Sequence, residues 1–406
     1  MMKTVAIAGT FDSKSVEFAY LQELIQSLGL QTFMIHTGVF EPKLAADVSN
    51  EDIAKAVGAN IKEIAARKDR ALATDVLSRG LEKLLPRLYA AGKFDGILSC
   101  GGSGGTALVT PGMRALPVGV PKVMVSTVAA GDVSVYVGTS DIFMYPSIVD
   151  VAGLNSISTK IFTNAALAIA GMVKFEVDKV LEKKPLIAAS MFGVTTPCVD
   201  QAREYLEQRG YEVLIFHATG TGGKAMEGLI KDGYIAGVFD ITTTEWADEL
   251  MGGNMAAGET RLDAAALNRI PQVVSVGALD MVNFGPVATV PAKYKGRNFY
   301  QHNPTVTLMR TTVDENRQLG LMIAEKLNQC QAKAALLLPL KGVSMIDAPG
   351  QPFYGPEEAA ALFAALKENI TNPLVEIIEV DANINDPVFS TAAAQKLVEL
   401  LSEKNI

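Results

Sequence analysis

The chain has 406 residues, 49% of them apolar and 7% aromatic, and a formal net charge of −8. That length allows two or three domains with real cores, and a glycine-rich, aromatic-poor composition suits α/β packing better than a β-sandwich. No basic block offers a footprint for sequence-independent nucleic-acid binding, and the three scattered cysteines, Cys100, Cys198 and Cys330, match neither a metal spacing nor a redox pair.

The opening MMKTVAIAGTFDSK lacks the long apolar run and cleavage site of a secretory signal. No stretch reads as long enough to span a membrane. The expectation is therefore a cytoplasmic protein with free thiols and no membrane partner. Thr4–Ala8 reads as a strand, Gly9–Lys14 as a loop, and Phe18, Leu21, Ile25 and Leu28 as one stripe of a helix that Gly29 stops. A strand at Gln31–His36 completes the unit of a parallel sheet. Asn50 to Ala91 reads as a surface-packed helix pair. Leu186–Ala189 begins the same unit again, and Thr196-Pro197 is a strong helix start. Phe11, Gly29 and His36 correspond to Phe192, Gly210 and His217, each 181 residues on. Phe94–Leu98 likewise resembles Ile235–Phe239. The fold class is therefore α/β, two Rossmann-like domains with mainly parallel sheets. The boundary falls near Val180–Pro185, giving domains 1–182 and 183–406. The tail, a strand Val375–Val380 and a helix Thr391–Glu403, either closes the second domain or crosses back to the first.

Four loops carry candidate chemistry. Gly101, Gly102, Ser103, Gly104, Gly105 and Thr106 follow an apolar strand, and so many glycines permit positive φ and close approach of phosphate to backbone N–H groups. The bland alternative is a tight turn. Gly9, Thr10, Asp12, Ser13 and Lys14 offer a cation for phosphate and, in Asp12, an oxygen ligand for Mg²⁺. Simple capping by Asp12 or Ser13 explains them equally well. Gly138, Thr139 and Ser140 lead to Asp141, a second metal candidate or a turn former. Thr195 and Thr196, with His217, Thr219, Gly220, Gly222, Gly223 and Lys224, form a possible anion or substrate site in the second half. It is not a P-loop, since Ala225 follows Lys224. His217 is a potential acid or base, though a structural histidine is the commoner finding. Thr242–Glu245 reads as a structural capping box, and Asp347 lies in a long loop that is a weaker candidate.

Together, GTFDSK (9–14), GGSGGT (101–106), VGTSDI (137–142), MFGVTTPCV (191–199), FHATGTGGKAME (216–227), DITTTE (240–245), VGALDMVNFG (276–285) and KGVSMIDAPGQPFY (341–354) resemble an uncharacterised family of bacteria, fungi and plants described as ATP-binding. Its named plant member inhibits tobamovirus RNA replication. The resemblance spans nearly the whole chain and implies two Rossmann-like domains, ATP binding and self-association as at least a dimer. The antiviral role depends on one host–virus surface and is not carried over. The expected function is ATP binding, with Mg²⁺ at Asp12 or Asp141 and a small-molecule substrate in an interdomain cleft. Two alternatives stand beside an ATP-dependent enzyme: a two-domain sensor without chemistry, and a small-molecule kinase using Asp12, Asp141 or Asp240 as base.

Overall fold

The computed structural model describes residues 2–175 and 184–404. The chain forms two compact units that divide between Val180 and Leu181. Most of the expected joint, Val180–Lys183, lies outside the described residues.

The first unit runs β1 (Thr4–Gly9), α1 (Ser15–Ser27), β2 (Gln31–His36), α2 (Asn50–Lys55), α3 (Ile61–Arg67), α4 (Arg70–Ala90), β3 (Gly96–Gly101), α5 (Ser103–Arg114), β4 (Lys122–Ser126), α6 (Ser134–Val137), β5 (Phe143–Pro146) and α7 (Ser156–Lys174). Its strands are parallel in the order β2-β1-β3-β4-β5. The chain starts in the middle, builds outward to β2, then returns to the other side of β1. The crevice between β1 and β3 at the carboxyl ends is thus the switch point where such sheets bind ligands. Phe18, Leu21 and Ile25 of α1 pack with Phe162, Ala165 and Ile169 of α7 on one face. Leu77, Leu81 and Leu85 of α4 pack with Leu108, Val109 and Met113 of α5 on the other.

Two expectations change here. The stretch from Asn50 to Ala91 is three helices rather than a pair, and the third is a core element. The other concerns α7, which is long and apolar enough, by length and composition, to cross a membrane. In this fold its Phe162 to Val173 stripe is core.

The second unit runs β6 (Leu186–Met191), α8 (Thr196–Glu207), β7 (Glu212–His217), α9 (Thr221–Lys231), β8 (Ile235–Thr242), α10 (Glu245–Met251), α11 (Asp263–Leu267), β9 (Gln272–Gly277), β10 (Met281–Phe284), β11 (Phe299–Asn303), β12 (Val306–Arg310), α12 (Val313–Leu327), β13 (Ala334–Pro339), α13 (Pro356–Asn369), β14 (Val375–Val380) and α14 (Pro387–Lys404). Its main sheet is parallel in the order β14-β13-β9-β8-β6-β7. The first five strands therefore repeat the first unit's path. The 181-residue offset holds to the residue for β2 against β7 and for the first residues of α1 and α8. The tail closes this unit: β14 pairs with β13, and Leu397 and Leu401 of α14 join the core beside α8. A small antiparallel sheet, β10-β12-β11, has no counterpart in the first unit.

Candidate functional site

A cavity of about 580 Å³ opens at the switch point of the first unit. The loop after β1 supplies Gly9, Thr10, Asp12, Ser13 and Lys14, and the loop after β2 supplies Thr37 to Phe40. Ser99 to Gly105 come from the end of β3 and the start of α5. The helical insertion adds a wall that the sequence did not assign to the site, including Ile64, Lys68, Asp69, Arg70 and Ala73.

Apart from the single turn of α6, helix capping separates this place from the rest of the unit. Ser49, Asn60, Asp69 and Asn155 cap α2, α3, α4 and α7 with their side chains. Helices α1 and α5, which start at the cavity, have no side-chain cap. The first intrahelical bond of α5 runs from Thr106 N–H to Gly102 O, so the N–H groups of Ser103, Gly104 and Gly105 have no acceptor within the helix. None of the glycines from 101 to 105 has positive φ. At Gly104 the constraint is space rather than backbone freedom. A Cβ on Gly104 would lie 2.8 Å from an Arg70 guanidinium nitrogen. Arg70 is exposed and makes no ion pair among the described residues. A guanidinium over the positive end of a helix dipole is an unfavourable pairing that an anion between them would reverse.

The floor has its own deficit. The hydroxyls of Thr37 and Ser99 and Oδ1 of Asp12 are buried without a hydrogen-bond partner. Thr37 and Ser99 are fully buried yet line the cavity. Asp12 caps no helix: its Oδ2 accepts from Phe40 N–H at 3.1 Å. Lys14 donates to the carbonyl of Val151. Thr106 does not reach the cavity, because its hydroxyl is shared with Ser126 (2.6 Å) and Gly102 O (2.8 Å).

The third loop belongs elsewhere. Asp141 pairs with Lys122 Nζ at 2.6 Å and accepts from Gly119 N–H at 2.7 Å. Burial opposes its charge, but these donors win and lower its pKa. Lys122 opens β4, so Gly138, Thr139, Ser140 and Asp141 lie at the amino edge of the sheet, near the far end of α5. That helix alone is about 18 Å long. Asp141 is an ion-pair partner of Lys122, and residues 138–141 do not line the cavity with the other expected loops.

Over residues 3–178 the sequence matches the description of an uncharacterised protein family, UPF0261, N-terminal domain, and over 184–401 that of the same family's C-terminal domain. The chain belongs to the UPF0261 family. A UPF0261 protein of Clostridium tetani is 51% identical, covering 99% of this chain and all of that one. One from Rhizobium meliloti is 44% identical over 97% of this chain and 98% of that one. The ToMV resistance protein Tm-1(GCR237) of Solanum lycopersicum is 41% identical over 97% of this chain, which spans 55% of the tomato protein. Among solved structures, the thioesterase domain from the curacin biosynthetic pathway aligns at a TM-score of 0.26 with 11% identity, over 53% of this chain and 91% of that one. That likeness carries no argument.

In the second unit of this UPF0261 chain, the equivalent place is filled by its own side chains. Glu245 Oε1 accepts from the N–H groups of Gly220 (2.7 Å) and Gly223 (3.1 Å), so an internal carboxylate caps α9. Arg261 Nε donates to Glu245 at 2.6 Å, and its other nitrogens reach Asp240 at 2.5 and 2.7 Å and Glu227 at 3.4 Å. Burial works against the Arg261 charge, but Asp240, Glu245 and Glu227 outweigh it and raise its pKa further. Burial raises that of Glu227. A Cβ on Gly223 would strike the Glu245 carboxylate.

The expected anion site at His217–Lys224 is thus already occupied from within. Thr195 bonds Thr242 at 2.7 Å, Thr196 bonds Phe192 O, and Thr219 bonds His217 O. His217 is exposed beside Phe192, with ring centroids 5.4 Å apart, and Lys224 is exposed. The expected capping box at Thr242–Glu245 does not form: Thr242 ends β8, α10 has no side-chain cap, and the glutamate caps the neighbouring α9 instead. Asp240 is locked by Arg261 and by Ser190 (2.6 Å), which removes it as a kinase base. Asp347 organises its loop by accepting from Val343 and Gly355 N–H groups.

The two units answer each other in sequence. Gly96 and Gly237 hold the same register, opposite Val5 and Ile187 respectively. Counting on from that pair, Ser99 falls on Asp240 and Gly104 on Glu245. The second unit fills the position with a carboxylate where the first leaves room.

Proposed function

We propose that the first unit binds a nucleotide, ATP, with its phosphates at the start of α5. The carrying observation is the Arg70 guanidinium lying over Gly104 at an uncapped helix N-terminus, inside a cavity of nucleotide size. The unpartnered Thr37 and Ser99 hydroxyls support a polar ligand on the floor. The second unit supplies an internal comparison, since a carboxylate sits against glycine N–H groups and arginine where the first unit has Gly104.

Magnesium would accompany the phosphates. Of the two acids expected to hold it, Asp12 lines the cavity and keeps Oδ1 without a partner. Calorimetric titration with ATP, with and without EDTA, tests the reading on wild type, Gly104→Val and Arg70→Ala. Both substitutions should weaken ATP by about tenfold or more, the worth of one charge-assisted contact. Unchanged affinity in both would sink the assignment, and indifference to EDTA and to Asp12→Asn would remove the metal. Product analysis with ATP and candidate small molecules separates an enzyme from a sensor.

A further inference from the structure

Phe40 combines a fixed backbone with a free ring. Its N–H donates to Asp12 Oδ2 at 3.1 Å. His36 is fully buried, and its Nδ1 accepts from Phe11 N–H at 3.2 Å, which leaves Nε2–H to donate to Phe40 O at 2.8 Å. Asn50 Nδ2 donates to the carbonyls of Gly38 (2.8 Å) and Val39 (3.2 Å). Gly38 is itself confined, because a Cβ there would strike the Asp12 carboxylate. Three side chains from three segments therefore hold a loop whose large apolar side chain remains 66% exposed. Scattered exposed apolar side chains need no explanation. This one lines the cavity, and among the described residues it is the aromatic side chain that does so. Ile64, Ala73 and Leu108 give the same cavity an apolar wall.

We propose that Phe40 is the stacking platform for the flat base of the nucleotide, with Asp12, His36 and Asn50 as its positioning residues. The inference rests on the nucleotide reading above and adds the part of the ligand that the phosphate contacts do not touch. A ring on a fixed backbone has only two side-chain torsions to settle, and it gains contact area with a flat heteroaromatic partner at low entropic cost. It also predicts what the site discriminates. Triphosphates carrying an aromatic base should bind more tightly than the triphosphate group alone.

The test is titration of the full chain with Mg²⁺-ATP and with Mg²⁺-tripolyphosphate, for wild type, Phe40→Ala, Phe40→Trp and Asn50→Ala. Phe40→Ala should lose roughly 5- to 150-fold in ATP affinity, the range for one base on one aromatic ring, and keep its tripolyphosphate affinity. Asn50→Ala should lower the ATP-to-tripolyphosphate ratio in the same direction by less. Phe40→Trp should retain ATP binding and change its indole emission with ATP but not with tripolyphosphate. The natural tryptophan, Trp246, is buried in the second unit and serves as a constant background. Equal ATP affinity in wild type and Phe40→Ala, or parallel losses for both probes, would overturn the platform. Tight tripolyphosphate binding without preference for ATP would overturn it while leaving the phosphate site standing. Failure of wild type to bind either probe would overturn both.

Discussion

Replacing Arg261 by methionine should nearly unfold the second unit at neutral pH. Arg261, Asp240 and Glu245 are each 1% exposed, and the one guanidinium faces three carboxylates. Removing one member of a buried ion pair costs about 3–5 kcal/mol, because the other charge is left without water or partner. Here three acids lose a shared cation, and Glu245 loses the anchor that aims it at the N–H groups of Gly220 and Gly223. The loss should therefore reach the upper end, about 5 kcal/mol. Trp246, the single tryptophan, lies next to Glu245 in sequence and is buried, so urea unfolding followed by its emission reports this unit. The sign with pH is fixed. Burial already raises the Glu227 pKa against the pull of Arg261, and without Arg261 that opposing charge is gone, so the folded Glu227 holds its proton more tightly than the unfolded one. The variant therefore loses stability as pH rises, and its deficit against wild type should shrink between pH 7 and pH 5. Arg317→Met is the control in the same unit, since its 2.5 Å pair with Asp314 is exposed and should matter by about 0.5 kcal/mol at most. A deficit below about 1 kcal/mol for Arg261→Met, flat with pH, would refute the account of a dry, charge-balanced cluster.

Burial, with the Asp347 charge beside it, pushes Asp280 up to about 7. The folded state then holds a proton that the unfolded state has released, and stability present below about pH 4 is lost as pH rises to 7. Asp280→Asn should flatten that slope, by at most about 1.4 kcal/mol per pH unit, and an unchanged slope would mean that Asp280 is ionised. Asp248, also pushed up to about 7 chiefly by burial, should leave a residual slope of the same sign. The three cysteines are free and buried, and burial raises the thiol pKa values, that of Cys330 to about 11. A disulfide reagent at pH 8 should thus find three thiols after denaturation and almost none before. Gly223→Ala should destabilise the second unit by about 1–3 kcal/mol, since its Cβ meets the anchored Glu245 carboxylate. Gly104→Ala should leave stability nearly unchanged, because the tip of Arg70 can move aside.

The sequence by itself determined the architecture. Strand–loop–helix–strand units, glycine helix stops at Gly29 and Gly210, and the 181-residue offset are local or periodic signals, and they survive folding because hydrophobic pattern sets both element and face. It also pointed to Gly9–Lys14 and Gly101–Gly105, since loops after strands in a parallel sheet must meet at its carboxyl edge. Tertiary structure decided what each loop faces. Asp141 looked like a site acid, and it became a partner of Lys122 because the strand it precedes puts it at the other edge of the sheet. The glycines of 220–223 looked like an anion cradle, and Glu245 fills it from a segment more than twenty residues away. Arg70 sits in a helical insertion whose charges carry no local mark of function, and only the packing of α4 against α5 brings it over Gly104. The physical reason is common to all three. Backbone propensity and hydrophobic period act over a few residues, whereas a charge finds its partner through space, after the sheet order has fixed which loops are neighbours.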